Sequence, residues 1–346
     1  MPAERVAIVL FNLGGPDSPA AIAPFLRNLF ADPAILRLPF FLRWPLARII
    51  AGRRRKPATA IYALLGGRSP LLDLTREQAR ALEAALPEVD ARCFIAMRYW
   101  HPNSDEAARA VVAFAPDHVV LLPLYPQFST TTTGSSLTAW REAAARAGLV
   151  ATVTTLCCWP DQAGYAAATA ALARRTWEEA RAKLGGAPMR LLFSAHGLPQ
   201  AIVRAGDPYA WQVARTAAAI LGAWEDAPDD WTICYQSRAT PQKWLEPSTD
   251  QEIARAARDK VAVVVVPIAF VSDHSETLVE LDIEYRHLAE KLGVAGYFRV
   301  PAQNDDPGFI AALADIVRRA RTAGPGLCSD AGRRLCPREF GGCPFA

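Results

Sequence analysis

Eight short runs of β-branched and other apolar residues punctuate the chain, at 6–13, 91–99, 118–125, 152–158, 190–197, 230–237, 262–270 and 296–301, and each reads as a strand. Between them lie longer stretches with helical spacing, near 19–30, 73–86, 104–115, 135–147, 161–184, 208–223, 248–258, 274–292 and 306–322. Ser18-Pro19 supplies a cap and a proline at the first helical position, and Ser104-Asp-Glu supplies a cap with first-turn acids. Strands alternating with helices imply parallel sheets covered on both faces. The first four strands and the last four repeat one build. The pattern therefore predicts an α/β protein of two similar doubly wound domains, each a mainly four-stranded parallel sheet flanked by helices. Their expected bounds are 1–160 and 161–322, with a cysteine-rich tail over 323–346. An insertion at 32–72 breaks the symmetry, and the last helix is free to pack back on the first domain.

Composition narrows the class. Of 346 residues, 51% are hydrophobic and 21% charged, without low-complexity tracts, so the chain is folded rather than disordered. The longest apolar run, 261–271, contains Pro267 and falls short of the roughly 20 residues that a spanning helix needs. Glu4 and Arg5 lead straight into the first strand with no cleavage pattern, so the expected location is the cytoplasm. A net charge of +3 is too small for a nucleic-acid coat. The positive charge is local: Arg53, Arg54, Arg55 and Lys56 follow an apolar stretch into which Arg43 and Trp44 are set. Segment 34–56 suits a membrane surface or the lip of an apolar pocket. It equally suits a buried loop and helix with a solvated basic end.

In doubly wound sheets ligands bind beyond the carboxyl ends of the strands, which directs attention to a few loops and to the cleft between the domains. No lysine follows a glycine, so there is no phosphate-binding P-loop, and Gly14-Gly15-Pro16 has the wrong spacing for a dinucleotide fingerprint. His196 ends an apolar strand, where an imidazole accepts protons or metals near neutral pH; a hydrogen-bonded structural histidine is the plain alternative. Asp273, His274 and Glu276 open a helix, as ordinary dipole partners do. Glu276, Glu280 and Glu284 then repeat at i, i+4 and i+8, a spacing at which like charges repel. That face is either fully solvated or handles protons or cations.

Taken in order, Asn12-Leu-Gly-Gly-Pro, Leu121-Leu-Pro-Leu-Tyr-Pro-Gln-Phe-Ser with Thr132-Thr-Gly-Ser-Ser, Phe193-Ser-Ala-His-Gly-Leu-Pro, Cys234-Tyr-Gln-Ser-Arg with Trp244-Leu, and Phe270-Val-Ser-Asp-His-Ser-Glu-Thr resemble the ferrochelatases, over residues 6 to 322. The resemblance implies insertion of Fe²⁺ into protoporphyrin IX to give protohaem, with both as partners and Fe²⁺ as substrate. It aligns His196 with the family's active-site histidine and Glu276 with the glutamate facing it. Glu280 falls on an acidic line proposed as a proton or metal path, which Glu284 continues; Asp273 and His274 fall on the shell around Glu276. Arg98, Tyr99 and Tyr125 align with polar residues of the opposite wall, and Leu13, Ser237, Trp244 and Phe270 with porphyrin contacts. One departure concerns the propionates: Ile61-Tyr-Ala-Leu-Leu-Gly-Gly-Arg is apolar where some relatives carry arginines, leaving Arg68 or Arg53 to Arg55 as replacements.

Seven cysteines in a cytoplasmic chain argue against a disulfide framework, and Cys328, Cys336 and Cys343 are spaced too widely for a zinc ribbon. Some ferrochelatases carry a [2Fe–2S] cluster on three ligands from such a tail and one from the body. In animal members the fourth position corresponds to Thr130 here, which cannot serve. The resemblance to bacterial members leaves Cys158 as the expected fourth ligand, with Cys157 as the alternative. Unligated thiols are the competing reading, and Cys93 and Cys234 read as plain core residues. Three other functions stay open: a chelatase for coproporphyrin, one for another metal such as cobalt, and a porphyrin carrier without turnover. A homodimer is compatible with the sequence.

Overall fold

The computed structural model describes residues 4–237 and 242–345. Its described residues divide into two compact units, one within 4–158 with 313–335 and 345, the other within 159–312 with 336–344. Among the described residues, the first unit holds strands β1 (Arg5–Asn12), β2 (Asp90–Met97), β3 (His118–Pro123), β4 (Thr152–Leu156) and β9 (Gly326–Cys328). All pair in parallel, in the order β2-β1-β3-β4-β9. The second unit holds β5 (Met189–His196), β6 (Trp231–Gln236), β7 (Ala262–Pro267) and β8 (Tyr297–Arg299), also all parallel, in the order β6-β5-β7-β8.

The eight strands expected from apolar runs are present, each within three residues of its expected bounds. β3 and β7 are buried from end to end. Both faces of a parallel strand are covered by helices, so such strands read as continuous apolar runs rather than alternating ones. Each set of four carries the same order: the second strand pairs with the first, and the third pairs on the other side. This places a topological switch point at the carboxyl ends of β1 and β3, and another at those of β5 and β7.

Three elements differ from the sequence expectation. Gly326–Cys328, expected in a separate tail, is the fifth strand of the first sheet; Thr154, Thr155 and Leu156 supply its partners. Within the 32–72 insertion lies a helix at Phe40–Ala63 that contains Pro45 and Pro57. Only Ala47, Ala51 and Tyr62 on it are buried, so no apolar stripe of helical period marks it in the sequence. The expected helix at 274–292 begins as a π-helix over Glu276–Glu284 and becomes an α-helix at Tyr285–Leu292. The N–H of Tyr285 reaches the carbonyl of Glu280, the i→i+5 bond of a π turn.

Residues 336–344 dock within the second unit. The N–H of Gly342 donates to the carbonyl of Gly206 at 3.0 Å, the rings of Trp211 and Phe340 lie 6.0 Å apart, and Gln212 Nε2 donates to Cys336 Sγ at 3.1 Å.

Candidate functional site

The second unit's switch point gathers the chemistry. β5 ends on His196, and the chain leaving β7 turns through Phe270 and His274 into the π-helix that starts with Glu276. His196 Nε2 stands 3.6 Å from Glu276 Oε1, and His274 Nε2 stands 3.8 Å from Glu276 Oε2. Phe270 lies against both imidazoles, its ring centroid 6.3 Å from that of His196 and 4.5 Å from that of His274. Glu276 is thus a largely buried carboxylate between two histidines, and its Oε2 has no hydrogen-bond partner. Burial pushes its pKa up, but the neighbouring His196 and His274 outweigh that and hold it below the usual carboxylate value.

The tautomer of His196 follows from its other nitrogen. Nδ1 lies 2.7 Å from the carbonyl oxygen of Gly197, which only accepts, so Nδ1 carries the proton. In the neutral ring the lone pair is then on Nε2, aimed at Glu276. Glycine at 197 is a steric requirement. Its N–H donates to the carbonyl of Gln236 at 2.7 Å, and a Cβ there would stand 2.7 Å from the same oxygen and 3.2 Å from the Trp244 ring.

Glu280, one turn further on, is encircled by donors: the Ser237 N–H at 2.9 Å, the Ser237 hydroxyl, Gln236 Nε2 at 3.3 Å and the Tyr285 hydroxyl at 3.3 Å. Burial and the charge of Glu276 raise its pKa. The two carboxyls are therefore pushed apart, Glu276 toward the ionised form and Glu280 toward the protonated one. Glu284 is exposed, so the three glutamates run from the histidine pair to the surface.

The remaining expected residues fall into distinct places. Asp273 is tied by Arg299 Nη1 at 2.9 Å and by Asn304 Nδ2 at 3.1 Å, while Arg299 Nε also reaches Asp282 on the π-helix at 3.4 Å. It braces the loop that presents His274. Ser237, expected against the porphyrin, directs both its N–H and its hydroxyl to Glu280 and holds a positive φ of 64°, a strained conformation for a residue with a Cβ. Arg238, which ends the same motif, lies outside the described residues. Trp244 is buried, its carbonyl accepting from Gln200 Nε2 at 3.0 Å.

Leu13, Arg98, Tyr99 and Tyr125 belong to the first unit, at the strand ends of its own switch point. Arg98 Nη2 pairs with the buried Asp32 at 2.8 Å, and its Nε donates to Ser135 at 2.6 Å. Tyr99 is 2% exposed, and its hydroxyl donates to Asp32 at 2.9 Å. Leu13 packs against the cluster that holds Tyr62 and Tyr99. Arg68, one stand-in for the missing propionate arginines, pairs with Asp73 at 3.3 Å. The sequence gives no sign of Asp32, Arg299 or Asn304, because their partners lie on other elements and no spacing or charge pattern links them.

The cysteines divide between the units. Cys157 and Cys158 lie at the end of β4, their sulfurs 3.3 Å apart, beside Cys328 at the end of β9. Burial, Asp330 and the charge of Cys158 push the Cys328 thiol up to about 11. Cys336 and Cys343 are buried in the second unit. Among the described residues, none of the seven cysteines is in a disulfide. Four buried thiols suit an iron–sulfur ligand set chemically. Among the described residues, no three His, Cys, Asp or Glu side chains are placed to hold a metal ion.

Two parallel sheets of one strand order, with ionisable residues at a switch point, describe a chelatase-like α/β protein. The sirohydrochlorin chelatase SirB of Bacillus subtilis subspecies spizizenii, in complex with cobalt, shares this fold with a TM-score of 0.51 at 13% identity, over 91% of this chain and 95% of its own. The family model described as Ferrochelatase matches residues 5–321. The protein called Ferrochelatase in Caulobacter vibrioides (strain NA1000 / CB15N) is 54% identical over 99% of this chain and 97% of its own length. Its namesake in Phenylobacterium zucineum (strain HLK1) is 53% identical over 97% and 99%. The chain belongs to the ferrochelatase family. It is a metal chelatase of the lyase class, with Fe²⁺ as substrate.

Proposed function

We propose that the protein inserts Fe²⁺ into protoporphyrin IX at His196 and Glu276. The observation that carries this reading is the free Nε2 of His196, 3.6 Å from an ionised carboxylate. Metallation releases two N–H protons from the macrocycle for each Fe²⁺ taken up. A neutral imidazole with its lone pair on Nε2 is a competent acceptor near neutral pH, and Glu276 stabilises the imidazolium that results. The proton leaves along Glu280, which sheds the proton it holds toward exposed Glu284 and takes up the next. One imidazole and one carboxylate also make a weak, transient site for Fe²⁺, in contrast to a closed four-ligand site that would trap it. Nε2 serves these two uses in turn. Phe270, set against both histidines, offers the apolar surface a macrocycle needs.

Anaerobic metallation assays with protoporphyrin IX and coproporphyrin in parallel test the substrate. The expected result is a kcat/KM at least tenfold higher for protoporphyrin IX. The reverse preference would assign the protein to coproporphyrin.

A [2Fe–2S] cluster on Cys158, Cys328, Cys336 and Cys343 is the cofactor we propose. The support is four buried thiols without a disulfide, with the end of β4, where Cys158 sits, paired beside Cys328. None of the steps above passes through it. Protein purified without air is expected to show the visible absorption of such a cluster, lost in Cys158→Ser and retained in Cys157→Ser. Iron-free wild type would contradict this.

A cytoplasmic protein with peripheral membrane contact through 34–56 is the location we propose. Among the described residues, no helix is long and apolar enough to cross a membrane. Phe40, Phe41, Leu42, Trp44 and Ile49 are each more than half exposed, and Arg43, Arg48 and the 53–56 basic run lie among or just beyond them. Clustered exposed apolar residues mark interaction surfaces, and basic neighbours suit anionic lipid. Sedimentation with anionic vesicles should be lost in the double variant Phe41→Glu/Trp44→Glu; unchanged sedimentation would remove the segment from that role.

A further inference from the structure

The peptide joining His196 to Gly197 is held at both of its polar atoms. Its carbonyl oxygen accepts from the Tyr209 hydroxyl at 3.0 Å, and its N–H donates to Gln236 at 2.7 Å. The next carbonyl, that of Gly197, is the one that accepts from His196 Nδ1. The direction in which that carbonyl points therefore decides which imidazole nitrogen carries the proton. With the 196–197 peptide fixed, the ring is held as Nδ1–H. The Gly197 carbonyl belongs to the following peptide, which hangs from the fixed one, so a less firmly held 196–197 peptide lets that carbonyl move off Nδ1 and makes the other tautomer accessible.

Tyr209 is built to stay where it is. It is buried, it opens the helix Tyr209–Gly222, and its own N–H donates to Asp207 Oδ1 at 3.0 Å. A buried phenol needs a partner for its hydroxyl, and the His196 carbonyl provides it. The corner just before it is closed by the docked tail. Gly206 has a φ of +95°, and a Cβ on it would stand 2.9 Å from the N–H nitrogen of Gly341. A Cβ on Gly342 would stand 2.9 Å from the Gly206 carbonyl oxygen. Only glycines allow this approach, and it fixes the corner that delivers Tyr209.

We propose that Tyr209 is a positioning residue for His196, its hydroxyl fixing the 196–197 peptide so that Nε2 keeps the lone pair that faces Glu276. This rests on His196 as the proton acceptor. Partners that orient a functional imidazole through its second nitrogen typically matter 10- to 100-fold.

The test is Tyr209→Phe in the full chain, which removes one oxygen and keeps the ring that packs in the core. Four quantities are read: melting temperature, KM for protoporphyrin IX, kcat for metallation, and the ¹⁵N signals of the His196 imidazole, assigned by their disappearance in His196→Ala. The expected result is a melting temperature within a few degrees of wild type, an unchanged KM, a kcat lowered about tenfold, and Nδ1 and Nε2 signals moved toward the average of two tautomers. Wild-type kcat with an unchanged ¹⁵N signature, alongside an inactive His196→Ala, would overturn the role of Tyr209 and leave that of His196 standing. A lowered kcat with an unchanged signature would overturn it too, since the loss would then be structural. Full turnover by His196→Ala would instead remove the reading on which the proposal rests.

Discussion

Replacing His196 with alanine is expected to lower kcat for Fe²⁺ insertion by about 10²- to 10⁴-fold, the usual worth of a positioned general base. Porphyrin binding should change little, because the proposed porphyrin contacts through Phe270 and Trp244 are untouched. The geometry makes the effect large. Nε2 is the only imidazole nitrogen of His196 with a free lone pair, since Nδ1 is committed to the Gly197 carbonyl. His274 is no substitute. It is buried, its Nδ1 lies 3.1 Å from the Ser272 carbonyl, and Phe270 covers it at 4.5 Å. Fluorescence titration of porphyrin beside the metallation rate separates binding from chemistry. Near-wild-type kcat in the alanine variant would take His196 out of the reaction.

Glu276→Gln should lose about 10²- to 10³-fold in kcat, the scale of removing one preorganised electrostatic partner from a charge that develops in the reaction. The amide keeps the shape of the carboxylate but cannot stabilise an imidazolium or offer Fe²⁺ an anionic ligand. The variant should still fold, because the amide fills the same space between His196 and His274. Its stability should also respond differently to acid. A carboxylate held below its ordinary value adds stability above the usual carboxylate range, and that contribution is lost as pH falls through the lowered value. Urea unfolding between pH 7 and pH 3 should therefore show the wild type falling more steeply than Glu276→Gln. Parallel curves would mean that Glu276 is not held ionised by its histidines.

Much of the fold was legible because parallel strands covered on both faces are written as unbroken apolar runs. Runs such as Val119 to Leu122 and Val263 to Val266 can hardly be read otherwise. What stayed hidden has physical reasons. β9 has three residues and is ordered by pairing with β4, a contact that leaves no local pattern. The helix Phe40–Ala63 carries its apolar residues outward and two prolines within, contrary to the rules by which a helix is recognised. The acidic repeat at 276, 280 and 284 was visible as an unfavourable spacing, but not the π geometry beneath it. That geometry goes with contacts from elsewhere: Gln236 and Ser237 on Glu280, and Arg299 on Asp282.

The site was legible only in pieces. His196 stood out as a histidine at a strand end, and Glu276 as the head of an acidic line. Nothing in the spacing brings them within 3.6 Å; the strand order does, by seating β5 beside β7. Ser237 shows a contact that the resemblance does not supply. Expected against the porphyrin, it spends a strained backbone and both its donors on Glu280.

The measurement closest to the central claim is a single-turnover experiment without air, in which the purified protein is loaded with one equivalent of protoporphyrin IX, mixed with Fe²⁺, and followed by absorption. The account predicts conversion of the bound porphyrin to protohaem, with about two protons released per haem into a weakly buffered solution. Porphyrin that stays bound and unmetallated, with no proton release, would contradict it and make the protein a carrier.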